Sequence, residues 1–174
     1  IKLVQGYGLT ECAPIVALNR DCWYKDDAAG LPLPGLQVAI NNPNNEGIGE
    51  IKVKGPSVFD GYYENQEATE AAIRDGWFYT GDMGYMDKDG FIHITGRLKN
   101  VIVTKNGKNV YPEEIETLLN RSDYIKESLV YGTEGKDDVM VCAQIVPDRD
   151  KIEEDTKNGI LEQGDVNSII SAEV

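Results

Sequence analysis

Gly96-Arg97-Leu98-Lys99-Asn100-Val101-Ile102-Val103-Thr104-Lys105-Asn106-Gly107-Lys108-Asn109-Val110-Tyr111-Pro112-Glu113-Glu114 carries the change of pattern that divides this chain. Val101 to Val103 is a β-branched run. Asn106-Gly107 is the strongest short hairpin signal, because both residues tolerate the positive φ of a two-residue turn, and Lys108 to Tyr111 supplies the returning strand. Pro112 sits where a first helical turn tolerates a missing N–H, and Glu113, Glu114 and Glu116 suit the positive end of a helix dipole. Ile115, Leu118 and Leu119 then set an apolar face at i, i+3 and i+4. Ser128 to Tyr131 and Val139 to Val146 read as two further strands. Together these make a compact α+β unit, with its junction at 96–100.

Upstream the reading is of short strands and turns. Leu36, Val38 and Ile40 alternate with Gln37 and Ala39, as do Ile51 and Val53 with Lys52 and Lys54. The Asn-, Pro- and Gly-rich 41–47 between them makes 36–54 a hairpin. A short helix over about Glu67 to Ile73 follows Asn65 and stops near Gly76. Tyr85-Met86 and Phe91 to Thr95 flank Asp87-Lys88-Asp89-Gly90, a second hairpin. Several short strands with one helix predict a small β-barrel or sandwich. In His93's strand, Ile92 and Ile94 alternate with it, which puts the imidazole on the less apolar face. Downstream, 148–174 is acidic with sparse apolar positions and is a marginal helix former without a packing partner.

The 174 residues are 41% hydrophobic and 27% charged, enough to bury a core. The formal charge of −13 argues against nucleic acid as a partner, since such affinity comes largely from Lys and Arg on phosphates. No apolar run reaches the ~20 residues of a membrane-spanning helix. Three scattered cysteines, Cys12, Cys22 and Cys142, make neither a CxxC site nor a disulfide framework, and a single histidine excludes a two-His zinc site. A reduced, cytoplasmic protein is expected. Ile1 to Val4 is apolar, without an initiator Met or a signal-peptide pattern, and reads as a strand from within a longer protein. Charge is uneven: residues 1–96 carry 14 acidic and 7 basic side chains, whereas 97–147 carry 8 and 7. Arg97, Lys99, Lys105 and Lys108 gather in that near-neutral section, either to meet an anion or as the solvated cations of a strand edge.

Three motifs carry candidate chemistry. In Gln5-Gly6-Tyr7-Gly8-Leu9-Thr10-Glu11 the glycines permit a tight turn and close backbone approach to a ligand. Thr10 offers a hydroxyl to phosphate and Glu11 a carboxylate to Mg²⁺; the alternative is a glycine turn after a strand. In Trp77-Phe78-Tyr79-Thr80-Gly81-Asp82, aromatics feed a Gly-Asp turn. Asp82 there either accepts both hydroxyls of a ribose or caps its own turn. Arg97 and Lys99 place two cations at the junction, suited to a site between domains or to an ordinary linker. Gly49-Glu50-Ile51-Lys52-Val53-Lys54-Gly55, with Gly61-Tyr62-Tyr63, reads as scaffold.

In this order and spacing, Tyr7 to Glu11, Gly49 to Gly55 with Gly61-Tyr62, Tyr79 to Asp82, and Gly96 to Lys99 running on to Tyr111-Pro112-Glu113-Glu114-Ile115-Glu116 resemble the second half of the AMP-forming acyl-CoA synthetase superfamily. The resemblance covers about 1–147, and the stretch 95–114 is most similar to long-chain fatty acid–CoA ligases. It implies a fragment of the acyl-adenylate-forming fold: a short-stranded, β-barrel-like subdomain over 1–96, the last of the large domain, followed by a mobile α+β C-terminal domain over 97–174. It implies an acid attacking the α-phosphate of Mg-ATP, then coenzyme A displacing AMP. By motif, Tyr7 and Gly8 would lie at the adenine, Thr10 at the α-phosphate and Glu11 at Mg²⁺. Asp82 and Arg97 would hold the ribose, Lys99 would be the hinge, and Gly107 and Lys108 would approach the pantetheine of CoA. The substrate implied is a carboxylic acid, a long-chain fatty acid by resemblance, with peripheral membrane contact left open. The family's phosphate-binding loop and its C-terminal catalytic lysine have no counterpart; the last lysine, Lys157 in Asp155-Thr156-Lys157-Asn158-Gly159, does not match. The chain by itself is therefore expected to be inactive. The rivals are an adenylating enzyme that loads a carrier protein and a non-catalytic nucleotide-binding module.

Overall fold

The computed structural model describes residues 4–134, 139–161 and 166–173. Most of the strand expected at Ile1 to Val4 lies outside them. The chain divides into two compact units, Ile1–Lys99 and Asn100–Val174.

The first unit contains β1 (Gly6–Gly8), β2 (Ile15–Leu18), β3 (Leu31–Pro32), β4 (Gln37–Asn41), β5 (Gly49–Lys54), helix α1 (Gln66–Ala72), β6 (Ile73–Arg74), β7 (Trp77–Met86) and β8 (Ile92–Arg97). β1, β2 and β3 form one antiparallel sheet. In the other, β4 and β5 pair, β5 pairs β7, and β6 and β8 both pair with β7. A bridge between Gly30 and Ile92 joins the two sheets. Cys12, Val16 and Ala17 from one side meet Ile51, Val53, Phe78 and Ile92 from the other in a single apolar cluster. The expected β-barrel-like form is thus two open sheets over a shared core, with no closed barrel among the described residues.

The hairpin read over 36–54 forms with Val38 opposite Val53 and Ile40 opposite Ile51. Its alternation puts Ile51 and Val53 in the core and leaves Lys54 outside. α1 is capped by the Asn65 side chain, which accepts from the Ala68 N–H at 3.0 Å, one of the donors a helix start leaves unpaired. Asp82 differs from its reading as a turn residue. It lies inside β7, where Thr80, Gly81 and Asp82 oppose Ile51 alone between the pairs Lys52–Tyr79 and Glu50–Met83. In this bulge, made with Gly81 at φ +71, Asp82 is buried like Phe78 and Thr80, and the alternation breaks at Met83, which is buried as well.

His93 also departs from expectation. It is 6% exposed while Ile94 is 41% exposed, so the imidazole points inward. Its ring stacks on Tyr85 with centroids 4.5 Å apart, and its nitrogens lie 3.1 Å from the Asp27 carbonyl and 3.3 Å from Asp87 Oδ2. Lys25 pairs with Asp87 and, at 2.8 Å, with Asp89, while its ammonium sits 4.8 Å from the Phe91 ring centroid. This polar clasp fastens the irregular 19–29 segment to the 87–90 turn. Burial opposes ionisation of Asp87, but Lys25, the Phe91 N–H, His93 and the Asp89 N–H together outweigh it and hold the carboxyl well below the usual range. A depressed folded-state pKa gives stability that is present above the unfolded carboxylate value of about 3.9 and lost as pH falls below it. Urea-unfolding midpoints of the wild-type chain should therefore fall more steeply on acidification below about pH 4 than those of Asp87→Asn. Parallel curves for the two would remove Asp87 from the acid response.

The second unit contains β9 (Ile102–Val103), β10 (Asn109–Val110), α2 (Pro112–Leu119), β11 (Ile125–Glu134), β12 (Val139–Pro147), α3 (Arg149–Lys157) and α4 (Val166–Glu173). β9 and β10 form the hairpin expected at Asn106-Gly107, closed by Thr104 N–H to Lys108 carbonyl at 3.0 Å. β11 and β12 pair antiparallel, and α2 packs on β11, with Glu116 Oε1 accepting the Val130 N–H at 2.7 Å. Of the expected apolar triplet, Ile115 and Leu119 are half-buried while Leu118 is exposed, and buried Pro112 starts the helix. Helix does form in the acidic tail. The Asp148 side chain caps α3, and buried Asp155 joins Lys151 at 2.9 Å and the Tyr124 hydroxyl at 3.2 Å.

Candidate functional site

Tyr7, Asp82 and Arg97 come together although 75 residues separate the first two in sequence. β1 carries Tyr7, the β7 bulge carries Asp82, and Arg97 ends β8 opposite Asp82 in the strand register. A second irregularity, between the pairs Met83–Gly96 and Gly84–Ile94, accommodates Thr95 as an extra residue and sets that register. The Tyr7 hydroxyl donates to Asp82 Oδ2 at 2.6 Å, and Arg97 Nη1 donates to Asp82 Oδ1. Below them, Thr80 Oγ1 accepts the Asp82 N–H at 3.1 Å and donates to the Ile51 carbonyl at 2.8 Å, which fixes the bulge.

Asp82 is 5% exposed, whereas the Arg97 side chain is 48% exposed. The site is therefore a buried carboxylate held between a phenol and a guanidinium that reaches solvent. Burial, and then the neighbouring Asp82 carboxylate, push the Tyr7 phenol far above its ordinary value, so it is a donor at every physiological pH. Hydrogen bonding to Asp82 likewise raises Arg97. A carboxylate with two fixed donors has lone pairs left to accept hydroxyls of a polar ligand, with its orientation already set.

A cleft of ≈ 400 Å³ is lined by Tyr7, Gly8, Thr10, Pro14 and Ile15 among others, and of this group only Tyr7 borders it. The backbone approach expected at Gly8 is to the chain itself. A Cβ there would overlap the Pro14 carbonyl, where Leu9 N–H also bonds Pro14 at 2.7 Å. Thr10 and Glu11 follow on a 3₁₀ turn, Thr10–Cys12, with the Thr10 side chain exposed. Glu11 Oε1 accepts from the Tyr62 hydroxyl at 3.0 Å. Sequence reading assigned Tyr62 to scaffold, and no local signal links it to a residue 51 positions away. Burial of Cys12, with Glu11 beside it, lifts that thiol to about 11, so it is an unreactive core residue.

Lys99 is exposed on a 3₁₀ turn, Leu98–Asn100, as the last residue of the first unit. Gly107, at φ +74, and Lys108 lie in the exposed β9–β10 turn of the second unit. No cluster of three or more His, Cys, Asp or Glu suited to a metal occurs among the described residues.

The chain is similar to several known proteins. The AMP-binding enzyme family matches residues 1–63. The long-chain-fatty-acid–CoA ligase of Salmonella typhimurium is 40% identical over 136 residues, which are 75% of this chain and 24% of that protein. The chain is related to the AMP-forming acyl-CoA synthetases. Among solved structures, o-succinylbenzoate CoA synthetase from Bacillus subtilis with its acyl-adenylate intermediate superposes with a TM-score of 0.77 at 30% identity, covering 91% of this chain and 35% of that one. The same enzyme in complex with ATP and magnesium gives 0.76 at 30% identity and the same coverage. The chain spans about a quarter of the length of the curated relatives it matches.

Proposed function

We propose that this chain is the C-terminal part of an ATP-dependent, AMP-forming fatty acid–CoA ligase, and that the Tyr7–Asp82–Arg97 group receives the nucleotide. The observation that carries this reading is the buried Asp82 carboxylate, fixed between the Tyr7 hydroxyl and the half-exposed Arg97 guanidinium. In the proposed complex Asp82 accepts the ribose hydroxyls, Arg97 holds the carboxylate in place and supplies further donors, and Tyr7 and Gly8 flank the adenine. Thr10, one turn on, donates to the α-phosphate. Glu11 is oriented by Tyr62 and is the carboxylate that would hold Mg²⁺, which neutralises phosphate charge during attack. The acid substrate is a long-chain fatty acid, a choice that rests on the names of the curated relatives. Coenzyme A is the acyl acceptor, with Gly107 and Lys108 near its pantetheine arm. The 174 residues alone form no acyl-CoA, because no phosphate loop or catalytic lysine with the family's pattern occurs in this sequence.

The deciding experiment measures pyrophosphate release and acyl-CoA formation by the full-length parent over carboxylic acids of increasing length, with and without CoA. CoA-dependent turnover peaking with long acids is expected. Adenylate without thioester would move the protein to carrier loading, and absence of pyrophosphate with every acid would leave a nucleotide-binding module. Lys99 is proposed as the hinge between half-reactions. Lys99→Pro, which fixes φ there, should slow thioester formation roughly tenfold or more while sparing adenylation. Equal loss in both half-reactions would count against a hinge.

A further inference from the structure

The β7 bulge that carries Asp82 is pinned from both faces of its sheet, and one of the pins lies outside the Tyr7–Asp82–Arg97 group. Strand register gives Gly81 no partner in β5, β6 or β8. Its N–H donates instead to the Glu50 side chain, whose Oε1 lies 3.2 Å away. Ile51 fills the core, so its neighbour Glu50 projects to the opposite face and reaches the bulge from there. On the core side, buried Thr80 takes the next N–H, that of Asp82, at 3.1 Å. Two successive N–H groups of the bulge are thus held by side chains. Glu50 stands opposite Met83, the residue after Asp82, so the pairing of β5 with β7 that makes the bulge also delivers its outer acceptor.

The identity of the donor gives this bond its weight. Gly81 sits at φ +71, and a Cβ there would meet nothing within 4 Å, so packing does not confine it. Glycine has the widest backbone freedom of any residue, and an unheld Gly81 would pass that freedom to its neighbour. A carboxylate bonded to a backbone N–H is a strong single contact, and here it sets the 80–81 peptide one residue before Asp82. Tyr7 and Arg97 hold the Asp82 oxygens, but the Arg97 side chain is half-exposed and leaves the backbone beneath them to be fixed by other groups. Ligand-binding groups need placing to within about 0.5 Å. We propose that Glu50 is a positioning residue, which through Gly81 fixes the bulge so that Asp82 presents its remaining lone pairs to a ribose diol in one orientation. Its role rests on the ribose reading of Asp82, and it gives the Gly49–Gly55 motif a part in the site as well as in the scaffold.

The test is isothermal titration calorimetry of the full-length parent with AMP and with 2′,3′-dideoxy-AMP, which lacks the diol. The wild-type protein should bind AMP more tightly. Glu50→Ala removes the acceptor, and Glu50→Thr replaces it with a shorter side chain suited to a strand. Each should shrink the preference for AMP roughly tenfold and leave the affinity for the analogue unchanged. Glu50→Gln keeps a carbonyl oxygen at the same reach and should retain the preference. Added to Asp82→Ala, Glu50→Ala should cost nothing more, because it acts through Asp82. Binding stoichiometry reports the fraction of folded sites, so a loss of fold lowers the number of sites and not the preference. An undiminished preference in Glu50→Ala and Glu50→Thr would overturn the inference and leave the ribose role of Asp82 standing. Equal loss in Glu50→Gln, or a further loss in the double variant, would overturn it too. No AMP binding by the wild-type protein, or equal affinity for AMP and the analogue, would overturn the ribose reading itself and the inference with it.

Discussion

Gly30→Ala is expected to unfold the first unit, lowering its stability by about 3–5 kcal/mol and its melting temperature by roughly 15 °C or more. Two costs coincide at this residue. Its φ of +108 is one that L side chains rarely adopt, and a Cβ there would overlap the backbone of Leu18 and Asn19. The close approach cannot relax cheaply, because Gly30 is bonded on its other side. The Ile92 N–H donates to the Gly30 carbonyl at 3.0 Å, and the neighbouring Ala29 N–H donates to the Ile92 carbonyl at 2.8 Å. Moving the strand to admit a methyl group would break the only bridge described between the two sheets. Gly47→Ala isolates the conformational part. Its φ is +81 and a Cβ would meet nothing within 4 Å, so the cost there should be only about 1–2 kcal/mol. Urea denaturation followed by tryptophan fluorescence measures both. Similar small losses for the two variants would show that the packing at Gly30 gives way readily.

If the proposed ligase activity holds, Asp82→Ala should reduce kcat/KM for ATP in the full-length parent by roughly 10²–10⁴-fold. The proposed role gives Asp82 two charge-assisted hydrogen bonds to a diol, each worth about 1.5–3 kcal/mol. The same substitution strands the Tyr7 hydroxyl, which is partly buried, whereas half-exposed Arg97 regains water. Stability should therefore fall less than nucleotide use, and an unfolding curve beside an ATP–pyrophosphate exchange assay separates the two. Tyr7→Phe keeps the ring and removes only the hydroxyl, so its effect should be smaller than that of Asp82→Ala. Unchanged KM and kcat for ATP in a folded Asp82→Ala enzyme would refute the ribose role.

Local chemistry made several elements readable in the sequence. Asn106-Gly107 specifies its own turn, Asn65 its own cap, and Ile51 and Val53 their own face, and each needs only a few neighbours to act. The departures came where distant segments intervene. His93 looked polar enough to face water, but Asp27, Asp87 and Tyr85 build it an interior niche from another loop and the adjoining hairpin. Leu118 fits the helical period, yet the inward face of α2 is set by where β11 packs. Asp82 was identified as a candidate ligand residue by its motif, but its setting was misread as a turn. The β7 bulge that aims it depends on pairing with β5, which no spacing within 77–82 discloses. The partners Tyr62 and Thr80 were missed for the same reason.

The Lys25–Asp87–His93 clasp has a consequence for where the first unit opens. Between Asn19 and Ala29 the chain has little regular structure, and its attachments include the Asn19 amide on the carbonyls of Lys25 and Ala28 and the ties at Lys25 and His93. These are side-chain latches rather than a ladder of strand bonds, so each can let go without disturbing the sheets. The loop should behave as a small cooperative unit of its own, with amide hydrogens that exchange ahead of those in β5 and β7. A protease acting on the folded chain would find its first cut there, between the exposed Trp23 and Asp27, and would find it sooner in acid.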